Sequence, residues 1–409
     1  MTSGPFHILI NALSMSSGGG FTVCRELVRG LAEERPGWRF TVAMTDGSSY
    51  HEPMRRERFA SNVSLLWAPA NTCALGRRIW YENTTLVNWA KAHGVGAVLQ
   101  LNGQKIPRLR LPTISHAQDP VPFLPHMWST GRRAAFGAWL RRRAVRQALM
   151  HADVMGFTSG YLRDLICGWD KVTPRRAEVF YNAVPQDWFS REDSQMPALS
   201  ARPMCVLTVS DVTRHKRQDL VARAVCALRK ERGFEKLEYR IVGRVFDEGY
   251  AEGIRELSRR TGAEVGATKP VVELVGRLSG DELAAEFKNA RCFAFMSVCE
   301  SFGIPPLEAM SFGTPVISSD CCAMPEVLGK AAAFVRADDE EGLKETLKRV
   351  LTKDGLAADM RARGFERFRT FTWGETVRKM AGCFGEMVGE FGARSAELTM
   401  RERRTGQVD

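Results

Sequence analysis

Short apolar runs alternate with amphipathic stretches from one end of this chain to the other. In the first half the runs predict strands over 6–12, 38–44, 63–67, 96–101, 111–115, 153–158 and 177–181. The stretches between them predict helices over about 20–34, 75–92, 130–150 and 159–167. The second half repeats the alternation, with strands expected over 203–209, 237–242, 271–275, 292–297, 315–318 and 332–335 and helices between them. Strands that are apolar on both faces and alternate with helices belong to parallel sheets in an α/β fold. Residues 190–203 (SREDSQMPALSARP) are polar, carry Pro197 and Pro203 and have no apolar period, so they read as a linker. The expected organisation is one doubly wound domain over 1–190, a second over 203–370, and a C-terminal helix with a polar tail over 371–409 that packs back on the first domain. Ligands of such sheets collect at the C-terminal strand edges, and two sheets facing each other enclose an interdomain cleft.

Composition places the chain among globular proteins: of 409 residues, 44% are hydrophobic and 26% charged, which excludes a disordered or fibrous chain. The net charge of +11 is unevenly spread. Residues 1–180 carry 23 basic and 12 acidic side chains, and the rest of the chain is balanced. The surplus asks for an anionic partner of the first domain. Part of it lies in 131–146 (GRRAAFGAWLRRRAVR), where Arg132, Arg133, Arg141, Arg142, Arg143 and Arg146 accompany Phe136, Trp139 and Leu140. This stretch is either a helix that lies on an anionic membrane surface or an ordinary packed helix with a solvated basic face. No zinc, RRM-like or KH-like signature accompanies the charge, so nucleic acid is not an expected partner. The ten cysteines form no C-x-x-C pair and most sit in apolar runs, as buried thiols of a reducing cytosol do. No apolar run approaches the ~18–20 residues of a membrane span. The N-terminus also lacks a basic segment followed by an apolar one. The expected location is cytoplasmic, with peripheral contact at the inner face of the membrane.

The most informative segment is 292–320 (CFAFMSVCESFGIPPLEAMSFGTPVISSD). A strand should end near Ser297, followed by a tight loop in which Gly303 can take positive φ. Pro305 and Pro306 suit the first turn of a helix, where a missing N–H costs little. That helix would run through Leu307–Phe312 and stop at Gly313. The N–H groups of 301–304 at a helix N-terminus would make an anion site suited to a diphosphate. Glu300 and Glu308 flank it. Taken singly, Glu308, expected in the first helical turn, can be a carboxylate that stabilises the helix dipole, and Glu300 a cap of local amides. The E-x7-E spacing is weak alone; it becomes specific with Ser301–Phe302–Gly303 and the strand–loop–helix setting around it.

At these residues the sequence resembles the retaining glycosyltransferases of family 4, which share the two-Rossmann-domain GT-B fold. Glu300–Ser301–Phe302–Gly303 with Glu308 looks like that family's signature, and Gly313–Thr314–Pro315–Val316 and Pro325–Glu326 fit it too. The resemblance implies that Glu308 holds the nucleotide ribose through its hydroxyls and that Glu300 contacts the transferred sugar and supports developing charge. It also implies that the loop amides of Ser301, Phe302, Gly303 and Ile304 bind the donor phosphates. Residues 206–220 (VLTVSDVTRHKRQDL) resemble the segment where the family places basic residues on the diphosphate. Lys216 matches best there, with Arg214 as the expected second cation. Paired cations would stabilise the leaving diphosphate as the glycosidic bond breaks, with no metal or other cofactor required. Val242–Gly243 and Val275–Gly276–Arg277 resemble strand ends near the base, which makes Arg277 either a base contact or a solvated charge.

In the first half, residues 8–20 (ILINALSMSSGGG) read as strand, loop and three glycines opening a helix. Gly18–Gly20 are either a flexible turn or a loop that lets backbone approach phosphate. The resemblance implies the second, with Gly19 and Gly20 at the donor. The G-x-G-x-x-G pattern is not present there, which counts against an NAD enzyme. In 112–125 (PTISHAQDPVPFLP) the family's His-Asp is replaced by Gln118–Asp119, with His116 two positions earlier. Either Gln118 takes that place or His116 reaches in, and Asp119 is either an acceptor-side catalytic residue or a turn cap. Ser159, after the strand at 153–158, is similar to the family's Ser and is also placed for a helix N-cap.

The resemblance therefore implies an enzyme: a retaining, metal-independent hexosyltransferase, with a mannosyltransferase among the options. It would move a sugar from a nucleotide-diphosphate sugar, GDP-mannose or a UDP-sugar, to a glycan or polyprenyl-diphosphate-linked acceptor in cell-surface polysaccharide synthesis. The alternatives are a nucleotide-sugar epimerase or phosphorylase of the same fold, and a non-catalytic basic scaffold that binds membrane or nucleic acid.

Overall fold

The computed structural model describes residues 6–15, 19–49, 51–127, 132–189, 191–192, 194 and 196–405, with backbone alone at 126, 132–134, 170 and 390–405. Two compact units divide the chain: residues up to Tyr181 together with those from Trp373 on, and Asn182–Thr372.

The first unit holds a parallel sheet of seven strands among the described residues: β1 (His7–Asn11), β2 (Arg39–Thr45), β3 (Val63–Ala68), β4 (Ala97–Gln100), β5 (Thr113–Ala117), β6 (Val154–Phe157) and β7 (Ala177–Val179), in the order β3-β2-β1-β4-β5-β6-β7. β1, β4, β5 and β6 are buried along their whole length, as strands covered by helices on both faces must be. The chain runs outward from β1 to β3, then returns to β4 and runs the other way, so the order reverses between β1 and β4. Right-handed crossovers place the helices that follow β3, β5 and β6 on one face. The register agrees: Leu9 pairs with Val98, Val98 with Thr113, and Ser115 with Met155, so Leu9, Val98 and Met155 point to the same side. These residues belong to the apolar clusters beneath the 75–92 and 132–170 helices. On the opposite face the Trp373–Thr405 helix lies against the Gly20–Glu34 helix. Gly30 admits it there, since a Cβ on that residue would stand 2.6 Å from Val377 Cγ2.

The second unit is built the same way from β8 (Cys205–Val209), β9 (Glu238–Val242), β10 (Val272–Gly276), β11 (Cys292–Phe295), β12 (Val316–Ser319) and β13 (Ala332–Val335). The order β10-β9-β8-β11-β12-β13 reverses between β8 and β11. Two doubly wound parallel sheets of seven and six strands make the α/β architecture expected from the apolar runs.

Three local features differ from the sequence reading. Residues 196–203 are not a free linker. Buried Arg202 donates to Ala290 O (2.9 Å), Thr314 Oγ1 (2.8 Å) and Phe312 O (2.7 Å), and Arg361 donates to Pro197 O at 2.8 Å. The 75–92 helix is broken into Leu75–Asn83 and Thr85–Ala92. At the break Thr84 Oγ1 donates to Trp80 O and Asn83 Nδ2 to Ile79 O, side chains competing with the helix for its own carbonyls. Finally, β5 runs to Ala117 rather than ending at 115, which draws His116 into the strand.

Candidate active site

In an open parallel sheet the reversal of strand order opens a crevice at the C-terminal strand edges. In the second unit the loops after β8 and β11 flank that point. The first continues through Val212, bridged to Val245, into a single 3-10 turn, Arg214–Lys216. Arg217 then takes a left-handed φ of 53° before the Gln218–Leu228 helix. Lys216 Nζ is ion-paired with Glu300 Oε1, and both side chains are mostly buried, 16% and 12% exposed. The ammonium also lies 5.4 Å from the centre of the Phe295 ring at the end of β11. Backbone ties the two loops together, Val298 N–H donating to His215 O at 2.9 Å. Burial, helped by neighbouring Lys216 and opposed by Glu300, pushes His215 down to about 4, so that imidazole is neutral near pH 7. Arg214 goes elsewhere. Its exposed guanidinium donates to Asp247 Oδ2 at 2.8 Å and lies over the Tyr250 ring. Asp247 in turn caps the Glu248–Glu264 helix by accepting from Tyr250 N–H. The structure thus brings Lys216 to Glu300 and Arg214 to Asp247.

The E-x7-E segment forms a strand, loop and helix, with the helix shifted. It spans Ile304–Ser311, preceded by Gly303 at φ 82°. Pro305 and Pro306 stand in its first turn as expected, and Glu308 is its fifth residue, just past the first turn in which it was expected, and is buried. Pro305 and Pro306 carry no N–H, which leaves Ile304 as the sole backbone donor among the first three helical residues. The Phe302 ring is buried edge-on against Phe371 at 5.3 Å, so it anchors the loop from below. Ser301 and Ile304 are partly exposed in that loop. Gly303 is confined, since a Cβ there would stand 2.4 Å from Met324 Cε. Arg277 is exposed one residue beyond β10. Gly243, at the end of β9, donates to Gly276 O at 2.8 Å, and a Cβ on it would fall 1.9 Å from Ser210 O.

The first unit has a polar cluster at its own reversal, between β1 and β4. Asn11 Nδ2 donates to Gln100 Oε1 and to Glu82 Oε1, both at 2.8 Å, and Asn11 Oδ1 accepts from Leu13 N–H at 3.2 Å. All three side chains are buried, and burial raises the Glu82 carboxyl above its ordinary value. Sequence reasoning missed this cluster; its one trace is a polar residue, Asn11 or Gln100, closing an apolar strand. Gly20 opens its helix and Gly19 precedes it, with nothing described within 4 Å of where a Gly19 Cβ would stand. Gly18 lies outside the described residues, as do the side chains of Arg132 and Arg133. Gln118 Nε2 donates to Leu101 O at 3.0 Å, and exposed Asp119 accepts from Val121 N–H at 3.0 Å, the geometry of a turn cap. His116 is fully buried in β5, edge-on to Phe180 at 5.7 Å, and does not reach a strand edge. Ser159 accepts from Leu162 N–H and caps the Gly160–Asp170 helix. Among the described residues no group of three or more His, Cys, Asp or Glu side chains is placed to hold a metal ion. Among the described residues no helix is long and apolar enough to cross a membrane.

A family model described as "Glycosyl transferases group 1" matches residues 190–367, and one described as "Glycosyltransferase Family 4" matches residues 17–188. The serotype-specific mannosyltransferase WbdA of Escherichia coli is 28% identical over 128 residues, 31% of this chain and 16% of that protein. A D-inositol 3-phosphate glycosyltransferase of Salinispora arenicola is 30% identical over 268 residues, 62% of this chain and 59% of that one. In each case the match spans less than two thirds of the relative's length. Among solved structures, the sucrose-phosphate synthase of Thermosynechococcus elongatus superposes with a TM-score of 0.74 at 16% identity, covering 94% of this chain and 100% of that one. Anabaena HepE in complex with UDP-glucose does so at 0.69 and 15%, covering 92% and 99%. At such identities these structures speak for the fold alone. The two family models, the sequence relatives and the paired parallel sheets together support a glycosyltransferase of the GT-B type.

Proposed function

We propose that the chain is a retaining, metal-independent hexosyltransferase that takes its sugar from a nucleotide-diphosphate donor and passes it to a glycan or lipid-linked glycan acceptor in cell-surface polysaccharide synthesis. The observation that carries this reading is the Lys216–Glu300 pair at the strand reversal of the second sheet. A diphosphate gains negative charge as its bond to the sugar breaks, and a mostly buried ammonium offsets that charge far better than a solvated one. Lys216 supplies the ammonium. Glu300 holds it in place before the donor arrives and then faces the positive charge developing on the sugar. Glu308, buried one turn into its helix, accepts hydrogen bonds from the ribose hydroxyls. In a front-face transfer the acceptor hydroxyl forms the new bond to the anomeric carbon on the side the diphosphate leaves. Its proton passes to the departing phosphate oxygen, so no protein nucleophile is required.

The relatives named as mannosyltransferases favour GDP-mannose, while the HepE complex holds UDP-glucose. Melting-temperature shifts with GDP, UDP and ADP separate the donor classes. Transfer assayed with and without EDTA, and proton NMR of the product anomer, test the rest. An inverted anomer, or loss of activity on chelation, refutes the mechanism. No shift with any nucleotide refutes the donor site.

A further inference from the structure

Among the described residues nine large apolar side chains are exposed, and seven of them sit on three helices of the first unit: Leu75–Asn83, Arg132–His151 and Gly160–Asp170. The strand register puts all three helices on one face of the sheet, because the clusters beneath them share that side. Trp80 is 62% exposed, Phe136 59% and Trp139 43%. A soluble surface seldom gathers so many on one side without a partner.

The charge on this face identifies the partner's chemistry. Phe136 and Trp139 stack at 5.7 Å, Arg143 lies over Trp139, and Arg142 lies over the exposed ring of Trp169. Arg142, Arg143 and Arg146 form no ion pair or hydrogen bond with any described residue, and with Trp139 they line a hollow of about 100 Å³. Arg240 in the second unit, by contrast, is held by Glu273 and Glu286. Unpaired guanidiniums interleaved with tryptophan and phenylalanine suit a boundary that is anionic at one depth and apolar just below it.

We propose that this helical face docks the protein on an anionic lipid bilayer. The arginines around the hollow would take headgroup phosphates, and Phe136, Trp139 and Trp80 would enter the acyl boundary. The proposal deepens the lipid-linked-acceptor part of the proposed function and rests on that reading for its choice of a membrane. Vesicle binding is measured without turnover, so either can fail alone.

The full chain is floated with vesicles of phosphatidylcholine alone and of phosphatidylcholine mixed with phosphatidylglycerol. Binding is expected to the mixed vesicles and to weaken as salt is added. Each basic residue at such a surface contributes about 1 kcal/mol, so the double variant Arg142→Glu/Arg143→Glu should lose tenfold or more in partition. Phe136→Ser/Trp139→Ser should also weaken binding, with the melting temperature of each variant checking its fold. Equal binding to both vesicles, or variants that bind like the parent, overturns the proposal. So does retention on duplex DNA with no vesicle binding, or self-association that covers Phe136 and Trp139.

Discussion

Lys216 and Glu300 stand 84 positions apart in the chain, and their side chains are bonded to each other across the point where the second sheet reverses its strand order. The 3-10 turn after β8 aims the lysine, and the loop after β11 aims the glutamate. On the proposed function, a diphosphate entering there would compete with Glu300 for the ammonium. Lys216→Ala should lower kcat by about 10²–10³, the usual cost of removing one preorganised charge partner of a transition state. Glu300→Gln should also lower kcat, and the double variant should lose less than the product of the two, because each single change already breaks the same pair. Turnover unchanged in both single variants would sink the assignment.

Arg214 is expected to behave differently from its neighbour. Its partner is Asp247 and its side chain is 74% exposed. Exposed pairs are worth about 0–1 kcal/mol. Arg214→Ala should therefore leave the affinity for the nucleoside diphosphate, measured by calorimetry, close to that of the parent. A loss as large as that of Lys216→Ala would mean that the guanidinium leaves Asp247 to join the diphosphate.

The fold was legible because a doubly wound sheet is written in the period of its apolar residues. Each expected strand is present, and the misreadings are local. β5 extends past 115 with His116, a polar letter, fully buried and edge-on to Phe180, an environment that the alternation could not reveal. Thr84 and Asn83 break a continuous amphipathic pattern through bonds to carbonyls one turn back. At the site, residue types and order placed the 300–308 segment on a strand–loop–helix, but not the first residue of its helix. Two prolines fit several positions of a first turn. The partners of Lys216 and Arg214 were out of reach for a different reason: 84 and 33 residues separate each from its carboxylate, and spacing carries no information over such distances. The Asn11–Gln100–Glu82 cluster was hidden the same way, since only the parallel register of β1 and β4 aligns Asn11 with Gln100.

Gly243 should be among the least replaceable residues of the second unit. Its φ is 155°, and a Cβ would fall 1.9 Å from the Ser210 carbonyl oxygen at the end of the neighbouring strand. That obstacle is backbone and cannot rotate away. Gly243→Ala should destabilise by about 3 kcal/mol, at the upper end of overpacking costs, because β8 and β9 must part at their C-terminal ends. Urea unfolding measures this. Parent-like stability would show that the two strand ends are not held this close.

His116 offers a test by pH. Its ring is fully buried, neither nitrogen has a described partner, and burial pushes its pKa down to about 4. An unfolded chain binds the proton from about pH 6.5 downward, whereas the folded one resists until about 4. Stability should therefore be complete above about 6.5, fall by up to about 1.4 kcal/mol per pH unit on the way to 4, and level off below, where both states are protonated. His215 adds a similar slope in the second unit, so the readout must be local, as amide exchange in β5 and β6 is. His116→Leu should remove the His116 share of that slope, while His7, a second histidine of the first unit whose pKa burial lowers, keeps its own. At neutral pH it should cost little or even stabilise, because an unpaired buried polar group is itself worth about 1–3 kcal/mol of destabilisation. An unchanged acid slope in the variant would show that His116 is not held neutral. A large loss of protection at neutral pH would show that the ring makes a contact leucine cannot replace.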